Sequence, residues 1–223
     1  MPQQVNDLAQ HFLAGDQDTA WELIQSDFHK EKDTLYIFNS LITEAMRMIG
    51  KWWEIGKITV ADEHLATTTC DFVITRYHFQ VKKQQDKQEI QERPKAMFLC
   101  LEQEQHYLGL KMTALLFEEN GWDVRLMGPS LPLEYAETTA KEWKPDLIGL
   151  SVTIMYHAER LEQYVETLES IEHKPTIMVG GRLTAAYDFS LYCSQETKIL
   201  TSLEEVSAWL SEEGNRSKKN VSN

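Results

Sequence analysis

Glu104 and His106 form the pattern with the clearest chemical meaning in this sequence. A carboxylate two residues from an imidazole can hold one ring nitrogen, which fixes the tautomer and makes the other nitrogen a better metal ligand. Gly109 follows at the start of a predicted helix and lets a bulky group approach the backbone. The pattern therefore predicts a site where an imidazole meets a metal or a large cofactor.

Two further groups stand at the ends of other predicted strands. Ser151 and Thr153 offer hydroxyls, and Gly180 with Gly181 leave a position without side chains. Taken singly, each group is explained as well by a solvated loop or an ordinary turn. Such groups follow three predicted strands along the chain, which favours a single ligand-binding edge of a parallel sheet.

Strands alternate with helices after Pro94. Short apolar runs predict five strands, at 96–101, 123–127, 147–152, 176–179 and 198–200. Helical patterns separate and follow them, at 108–119, 133–143, 157–170, 182–187 and 203–210. This alternation predicts an α/β domain over 95–213 with a flavodoxin-like or Rossmann-like five-stranded parallel sheet, and a disordered tail at 214–223. Neither G-x-G-x-x-G nor a Walker lysine motif is present, which argues against dinucleotide and NTP binding.

The first part of the chain is helical in pattern. Gly15 ends a first helix, and Asp16 and Asp33 are candidate N-caps of the second and third. A break at 56–59 precedes a fourth helix at 60–81. Residues 1–83 are therefore predicted to form a four-helix bundle that caps the sheet domain, and the polar segment 84–94 is predicted to be a linker.

Composition narrows the class of protein. Among 223 residues, 22 Lys and Arg stand against 35 Asp and Glu, so the net charge of −13 disfavours direct nucleic-acid binding. Three cysteines without a CxxC pair argue against a disulfide framework and a zinc ribbon. The sequence has no apolar run of the ~20 residues that a membrane span needs and no secretory signal pattern. We expect a cytoplasmic protein with no membrane partner.

The groups in the second half resemble the DxHxxG…SxL…GG signature of cobalamin-binding domains; they read Glu104-x-His106-x-x-Gly109, Ser151-x-Thr153 and Gly180-Gly181. The resemblance implies base-off, His-on binding, with His106 as the lower axial ligand of cobalt and Glu104 on its other ring nitrogen. Ser151 would hydrogen-bond the base of the cofactor tail, and the glycines would leave room for it. Glu104 replaces the usual Asp, and Thr153 replaces the usual Leu.

Trp53 lies nine residues before the pair Glu63-His64. An aromatic ring, a carboxylate and an imidazole suit a cavity for an adenosyl group. Alternatively, Trp53 is a core residue and the other two are ordinary first-turn residues, with Glu63 favoured by the helix dipole. The spacing resembles the W-x9-EH motif of adenosylcobalamin-dependent photoreceptors, the carotenoid-gene repressors of the MerR-like class. That resemblance implies that Trp53 contacts the adenosyl group of adenosylcobalamin, which light releases, and that the cap then changes assembly.

Two departures from those repressors shape the expectation. They carry a DNA-binding domain ahead of the bundle, which this sequence does not show, and Glu54 stands where some members carry a cobalt-capping His. We therefore expect a stand-alone sensor similar to the photocobilins, acting through a homo-oligomer (a dimer) or a separate effector protein. Photocobilins also hold a bilin. A biliverdin slot could be formed by Thr67, Thr68, Thr69, Phe72, Arg76, Tyr77, His78 and Phe79. The alternative is that these aromatic residues form the bundle core.

Two other functions remain open from sequence. A corrinoid carrier of a methyltransferase system shares the lower-ligand motif and the helical cap, but it needs the upper face of the corrin exposed to partners. The small subunit of an adenosylcobalamin mutase would require a barrel from another chain, since none is visible here. None of these readings makes the chain itself an enzyme.

Overall fold

The computed structural model describes residues 3–30, 32–84, 93–153 and 158–221. The chain divides into two compact units, residues 1–88 and 89–223. The division falls within the predicted linker at 84–94, most of which lies outside the described residues. Within the described part of the chain, no helix is long and apolar enough to cross a membrane.

The first unit consists of helices in its described residues. They are α1 (Gln3–Ala14), α2 (Gln17–Phe28), α3 (Thr34–Tyr36), a π-helical segment (Ile37–Thr43), α4 (Glu44–Glu54) and α5 (Val60–Gln84). The third predicted helix corresponds to three consecutive elements, because α3 continues through the π-helical segment into α4 without a break. The four-helix organisation is confirmed.

The predicted caps explain where these helices begin. The side chain of Asp16 accepts a hydrogen bond from Thr19 N at 3.1 Å, and that of Asp33 accepts one from Tyr36 N at 2.7 Å. These bonds satisfy backbone donors that have no partner within the helix. Gly15 has a φ of 70°, which suits the left-handed turn between α1 and α2.

The second unit is a five-stranded sheet in which every pairing is parallel. Its strands are β1 (Lys95–Cys100), β2 (Asp123–Gly128), β3 (Leu147–Ser151), β4 (Thr176–Gly180) and β5 (Lys198–Ile199). Its helices are α6 (Leu108–Glu119), α7 (Leu133–Trp143), α8 (Ala158–Glu169) and α9 (Leu203–Val221), with a short 3₁₀ turn at Ser190–Tyr192. The strand order β2-β1-β3-β4-β5 is flavodoxin-like, so the prediction is confirmed.

The strand order places the topological switch point between β1 and β3, where such sheets bind ligands. In the register of the sheet, Cys100 pairs with Ser151, and Ser151 pairs with Gly180. The carboxyl ends of β1, β3 and β4 are therefore level with one another. The loops that follow these three strands meet at one edge.

Two predictions for this unit are wrong. Residues 182–187 form turns rather than a helix. The hydroxyl of Thr184 donates to the carbonyl oxygens of Gly181 and Leu200, which ties the segment to the chain after β5. The predicted disordered tail at 214–223 is helical through Val221. A single glycine costs a helix only about 1 kcal/mol, so Gly214 does not stop it.

Candidate functional site

Glu104 is the buried centre of the loop that follows β1, with no exposed surface. Its Oε1 lies 2.6 Å from His106 Nδ1 and accepts a bond from His106 N at 3.0 Å. Its Oε2 accepts a bond from Thr153 N, at the end of β3, at 2.9 Å. One carboxylate therefore ties the β1 loop to the β3 loop and holds the imidazole expected from sequence.

These donors explain why a buried carboxyl stays ionised. Burial by itself would raise the pKa of Glu104, but hydrogen bonds from the side chain and backbone of His106 and from Thr153 outweigh it and lower the pKa to about 2. The negative charge is thus a permanent feature of the loop at neutral pH. The hydrogen-bond donors of His106 and Thr153 compensate this charge.

The charge of Glu104 also selects the tautomer of His106. Nδ1 carries the proton because it faces the carboxylate, and the lone pair of the neutral ring is then on Nε2. Thr153 Oγ1 lies 3.0 Å from the same Nδ1 and gives the ring a second contact. The side chain of His106 remains 56% exposed. A ring held on one side and exposed on the other can accept a metal at Nε2.

Ser151 and Cys100 lie beneath this loop. Ser151 is only 5% exposed, and its hydroxyl interacts with the thiol of Cys100. Burial and the nearby charge of Glu104 raise the pKa of Cys100 to about 12, so the thiol stays neutral. It donates to the carbonyl oxygen of His106, with a sulfur-to-oxygen distance of 3.8 Å. The polar floor of the site thus consists of neutral hydroxyl and thiol groups.

The three predicted glycines differ in whether the packing of the protein itself requires a residue without a side chain. A Cβ at Gly109 would meet no atom within 4 Å, and one at Gly180 would meet Leu200 O at an ordinary 3.6 Å. Gly181 has a φ of 142°, and a Cβ there would lie 2.0 Å from Val152 O. Gly181 is therefore required by the packing of β4 against the end of β3. The open space at Gly109 fits room for a ligand.

The loop is anchored by residues that the sequence analysis missed. Tyr164 on α8 accepts from Glu102 N at 3.2 Å and donates to Leu131 O at 2.5 Å, and the Arg160 guanidinium donates to Glu102 O. Ser130 Oγ accepts from Gln103 N at 3.0 Å. Gln103 has a φ of 68°, a strained conformation for a residue with a side chain. No local sequence signal reveals these anchors, because they lie 27 to 62 residues from their loop partners.

In the helical unit, the candidate residues flank the connection between α4 and α5. Trp53 lies in the last turn of α4 and is 48% exposed, so the alternative that it is a core residue is wrong. Glu63 lies in the first turn of α5 and accepts from Thr67 Oγ1 at 2.9 Å. His64 follows it and is exposed. The backbone of residues 55–59 is tied to α4 by bonds from Gly56 N and Lys57 N.

The suggested bilin-slot residues do not share one environment. Tyr77 is buried, and its hydroxyl lies 2.9 Å from Thr34 Oγ1. Phe72 and Phe79 are exposed, so the alternative that all these aromatic residues are core is wrong for them. Arg76 contacts Asp18 at 3.2 Å and lies over the ring of Trp21. Bilin binding stays a prediction.

The fold and the loop after β1 together define a class of protein. A flavodoxin-like sheet with a carboxylate-oriented imidazole at its switch point, preceded by a helical unit, is suited to hold a metal-containing cofactor through one histidine. Two family models, both described as B12 binding domain, match residues 94–196 and 4–77. The chain belongs to the cobalamin-binding proteins.

Individual relatives are distant. The HTH-type transcriptional repressor CarH of Myxococcus xanthus is 26% identical over 148 residues, which are 66% of this chain and 47% of the repressor. A corrinoid protein of Desulfitobacterium hafniense is 22% identical over 184 residues, 81% of this chain and 84% of that protein. The monomethylamine corrinoid protein of Methanosarcina barkeri is similar in fold, with a TM-score of 0.74 at 15% identity over 92% of this chain and 96% of that one. This chain spans about half the length of the repressor.

Proposed function

We propose that this protein is a cobalamin-dependent light sensor that binds adenosylcobalamin base-off and His-on and changes its assembly when illuminated. The observation that carries the proposal is the exposed Trp53 at the end of α4, followed at the W-x9-EH spacing by Glu63 and His64. A tryptophan ring that stays half exposed contributes little burial to the stability of the fold, which favours a role in covering a ligand. The similarity to CarH supports the same reading.

In this proposal the lower side of the cofactor is held by the sheet unit. His106 would provide Nε2 to cobalt, Glu104 would keep the proton on Nδ1, and Ser151 would hydrogen-bond the base of the tail. Gly109 and Gly180 leave space for that tail, whereas Gly181 acts through the packing of the strand ends. When bound, adenosylcobalamin supplies a cobalt–carbon bond that visible light can break. Trp53 and Glu63 would cover and hold the adenosyl group, and without that group the ring of Trp53 would lack this packing partner.

The test combines a spectrum with a measurement of assembly. Protein loaded with adenosylcobalamin in the dark is examined by absorption and sedimentation before and after green light. We expect spectral conversion together with a change in sedimentation. The proposal is overturned if the protein converts only as the free cofactor does and keeps one sedimentation coefficient. A red-absorbing band after addition of biliverdin would add a bilin to the cofactors.

His106→Ala tests the lower ligand separately. Loss of the axial donor is expected to weaken cobalamin binding by more than the ~10–100-fold typical of losing an outer-shell partner. The bound spectrum should also lack imidazole ligation. The matched control is His64→Ala, which leaves the lower site intact. An unchanged bound spectrum in His106→Ala would remove this residue from its proposed role.

A second candidate is a corrinoid carrier of a methyltransferase system. It is favoured by the alignment with the Desulfitobacterium hafniense corrinoid protein, which spans 84% of that protein. The upper face of the corrin would then be open to partners, and Trp53 would be dispensable. Tighter binding of methylcobalamin than of adenosylcobalamin, with methyl transfer to a partner, would replace the light-sensor proposal.

A further inference from the structure

Helix α5 carries a stripe of apolar side chains that the helical unit does not bury. Its inner face packs on α1, α2 and α4 through Ala66, Cys70, Val73, Ile74 and Tyr77. Leu65, Phe72 and Phe79 are instead 46%, 40% and 58% exposed. They are spaced seven residues apart and therefore lie along one face of the helix. Three large apolar side chains in one exposed row indicate a contact surface.

The stripe is symmetric about the middle of the helix. Phe72 is the central residue of the 25 in Val60–Gln84, and Leu65 and Phe79 lie two turns away on either side. A twofold axis passing beside Phe72 would bring the same residue of a second copy against it. The same axis would place Leu65 of each copy beside Phe79 of the other. Such a contact is closed, because each copy uses the same surface.

The charges of α5 favour the antiparallel arrangement. Its first half carries Asp62 and Asp71, and its second half carries Lys82 and Lys83. Glu63 and Arg76 also lie on α5 but bond to Thr67 and Asp18 within the helical unit. In an antiparallel pair the acidic half of one helix runs beside the basic half of the other, and the helix dipoles also oppose. A parallel pair would set like charges side by side. The charge pattern therefore favours an antiparallel second copy of this helix over a parallel one.

We propose that α5 is a dimerisation surface on which a second copy of this chain packs antiparallel, with Phe72 against Phe72 and Leu65 beside Phe79. The central phenylalanine pair provides the apolar anchor. The flanking charges set the direction of approach. No cofactor takes part in this contact, so it stands independently of the proposed light response and is tested in the dark with and without cobalamin.

Disulfide trapping in the full chain tests the register. In a Cys193→Ser background, Phe72→Cys should form covalent dimers under mild oxidation because the two positions meet at the axis. Leu65→Cys alone and Phe79→Cys alone should form few, whereas a mixture of the two should cross-link. Self-linking of Phe79→Cys would indicate a parallel pair and overturn the proposal, as would failure of both Phe72→Cys and the mixture to link.

Sedimentation measures the same contact without cross-linking. The unmodified chain should associate from monomer to dimer as its concentration rises through the micromolar range, and Phe72→Glu should sediment as a monomer because it places two carboxylates at the axis. Tyr135→Glu is the matched control: Tyr135 is also an exposed aromatic residue, 58% exposed against 40% for Phe72, but it lies in the sheet unit, so its substitution should leave association unchanged. Monomeric wild-type protein, or an undiminished dimer in Phe72→Glu, would overturn the proposal whatever the outcome of the illumination experiment.

Discussion

The loop after β1 and the connection between α4 and α5 hold their candidate residues in opposite ways. Glu104 is fully buried and bonded to both His106 and Thr153, so the imidazole is oriented by the protein alone. Trp53 and His64 are exposed at the ends of their helices. In the first region buried hydrogen bonds hold the candidate side chains, whereas in the second the backbone is held and the side chains of Trp53 and His64 are exposed. In the proposed light sensor, the first region would be the fixed attachment of the cofactor and the second a contact that can be lost.

Among substitutions that leave His106 in place, the largest effect on cobalamin binding should come from Glu104, the buried residue that holds the imidazole. Glu104→Gln keeps the size of the side chain but turns one acceptor oxygen into a donor, which then faces a bond donor of His106 or Thr153. We expect about 1–3 kcal/mol lower free energy of unfolding and ~10–100-fold weaker cobalamin binding. Chemical denaturation and spectroscopic titration measure the two effects.

Glu102→Gln is the matched control for this substitution. Its backbone, rather than its carboxylate, makes the bonds to Tyr164 and Arg160 that anchor the loop. Both stability and affinity should remain near those of the unmodified protein. If Glu104→Gln bound cobalamin as tightly as Glu102→Gln, the orienting role of the buried carboxylate would be disproved.

Substitution of Gly109 tests whether the space beside it holds the ligand, because the expected effects on binding and on protein stability differ. Because a Cβ there meets nothing within 4 Å, Gly109→Val should fold with stability within about 1 kcal/mol of the original. If the tail of the cofactor occupies that space, cobalamin affinity should nevertheless fall by about tenfold or more, the equivalent of ~1.4 kcal/mol. Gly214→Val is the control: a Cβ there also meets no atom within 4 Å, and Gly214 lies in α9, where its backbone is helical as that of Gly109 is in α6. Equal affinities of the two variants would show that the space at Gly109 is not used.

Periodicity was enough to predict the elements that carry the site. The bounds of α6 and α7 coincide with the predicted ranges, because apolar spacing, flanking polar residues and following turns agree there. The contact between Glu104 and His106 was also expected, since it lies within one loop. Local patterns therefore predicted both the sheet edge and the pair at its centre.

Long-range contacts could not be predicted in this way. Tyr164 supports the loop from α8, and the hydroxyl of Thr184 binds Leu200 O instead of helping to extend a helix. The π-helical segment between α3 and α4 was likewise not predicted, because the apolar spacing continues through it without interruption. Each depends on residues that come together only in the folded unit. The spacing of residues within one sequence carries no record of such distant partners.

The smallest effect on stability is expected at Trp53. The same substitution tests most directly whether the exposed end of α4 takes part in the light response. Trp53→Ala removes a half-exposed ring and should change the free energy of unfolding by less than about 1 kcal/mol, while Trp21→Ala, at a site only 2% exposed, should cost about 3–5 kcal/mol. Binding of adenosylcobalamin should persist because the lower site is untouched, but the light-driven change in sedimentation should be lost. If assembly still responded to light as in the unmodified protein, Trp53 would have no part in the response, and the exposed end of α4 would need another partner. If light changed neither protein, the preorganised loop would serve a corrinoid carrier, for which only the lower site matters.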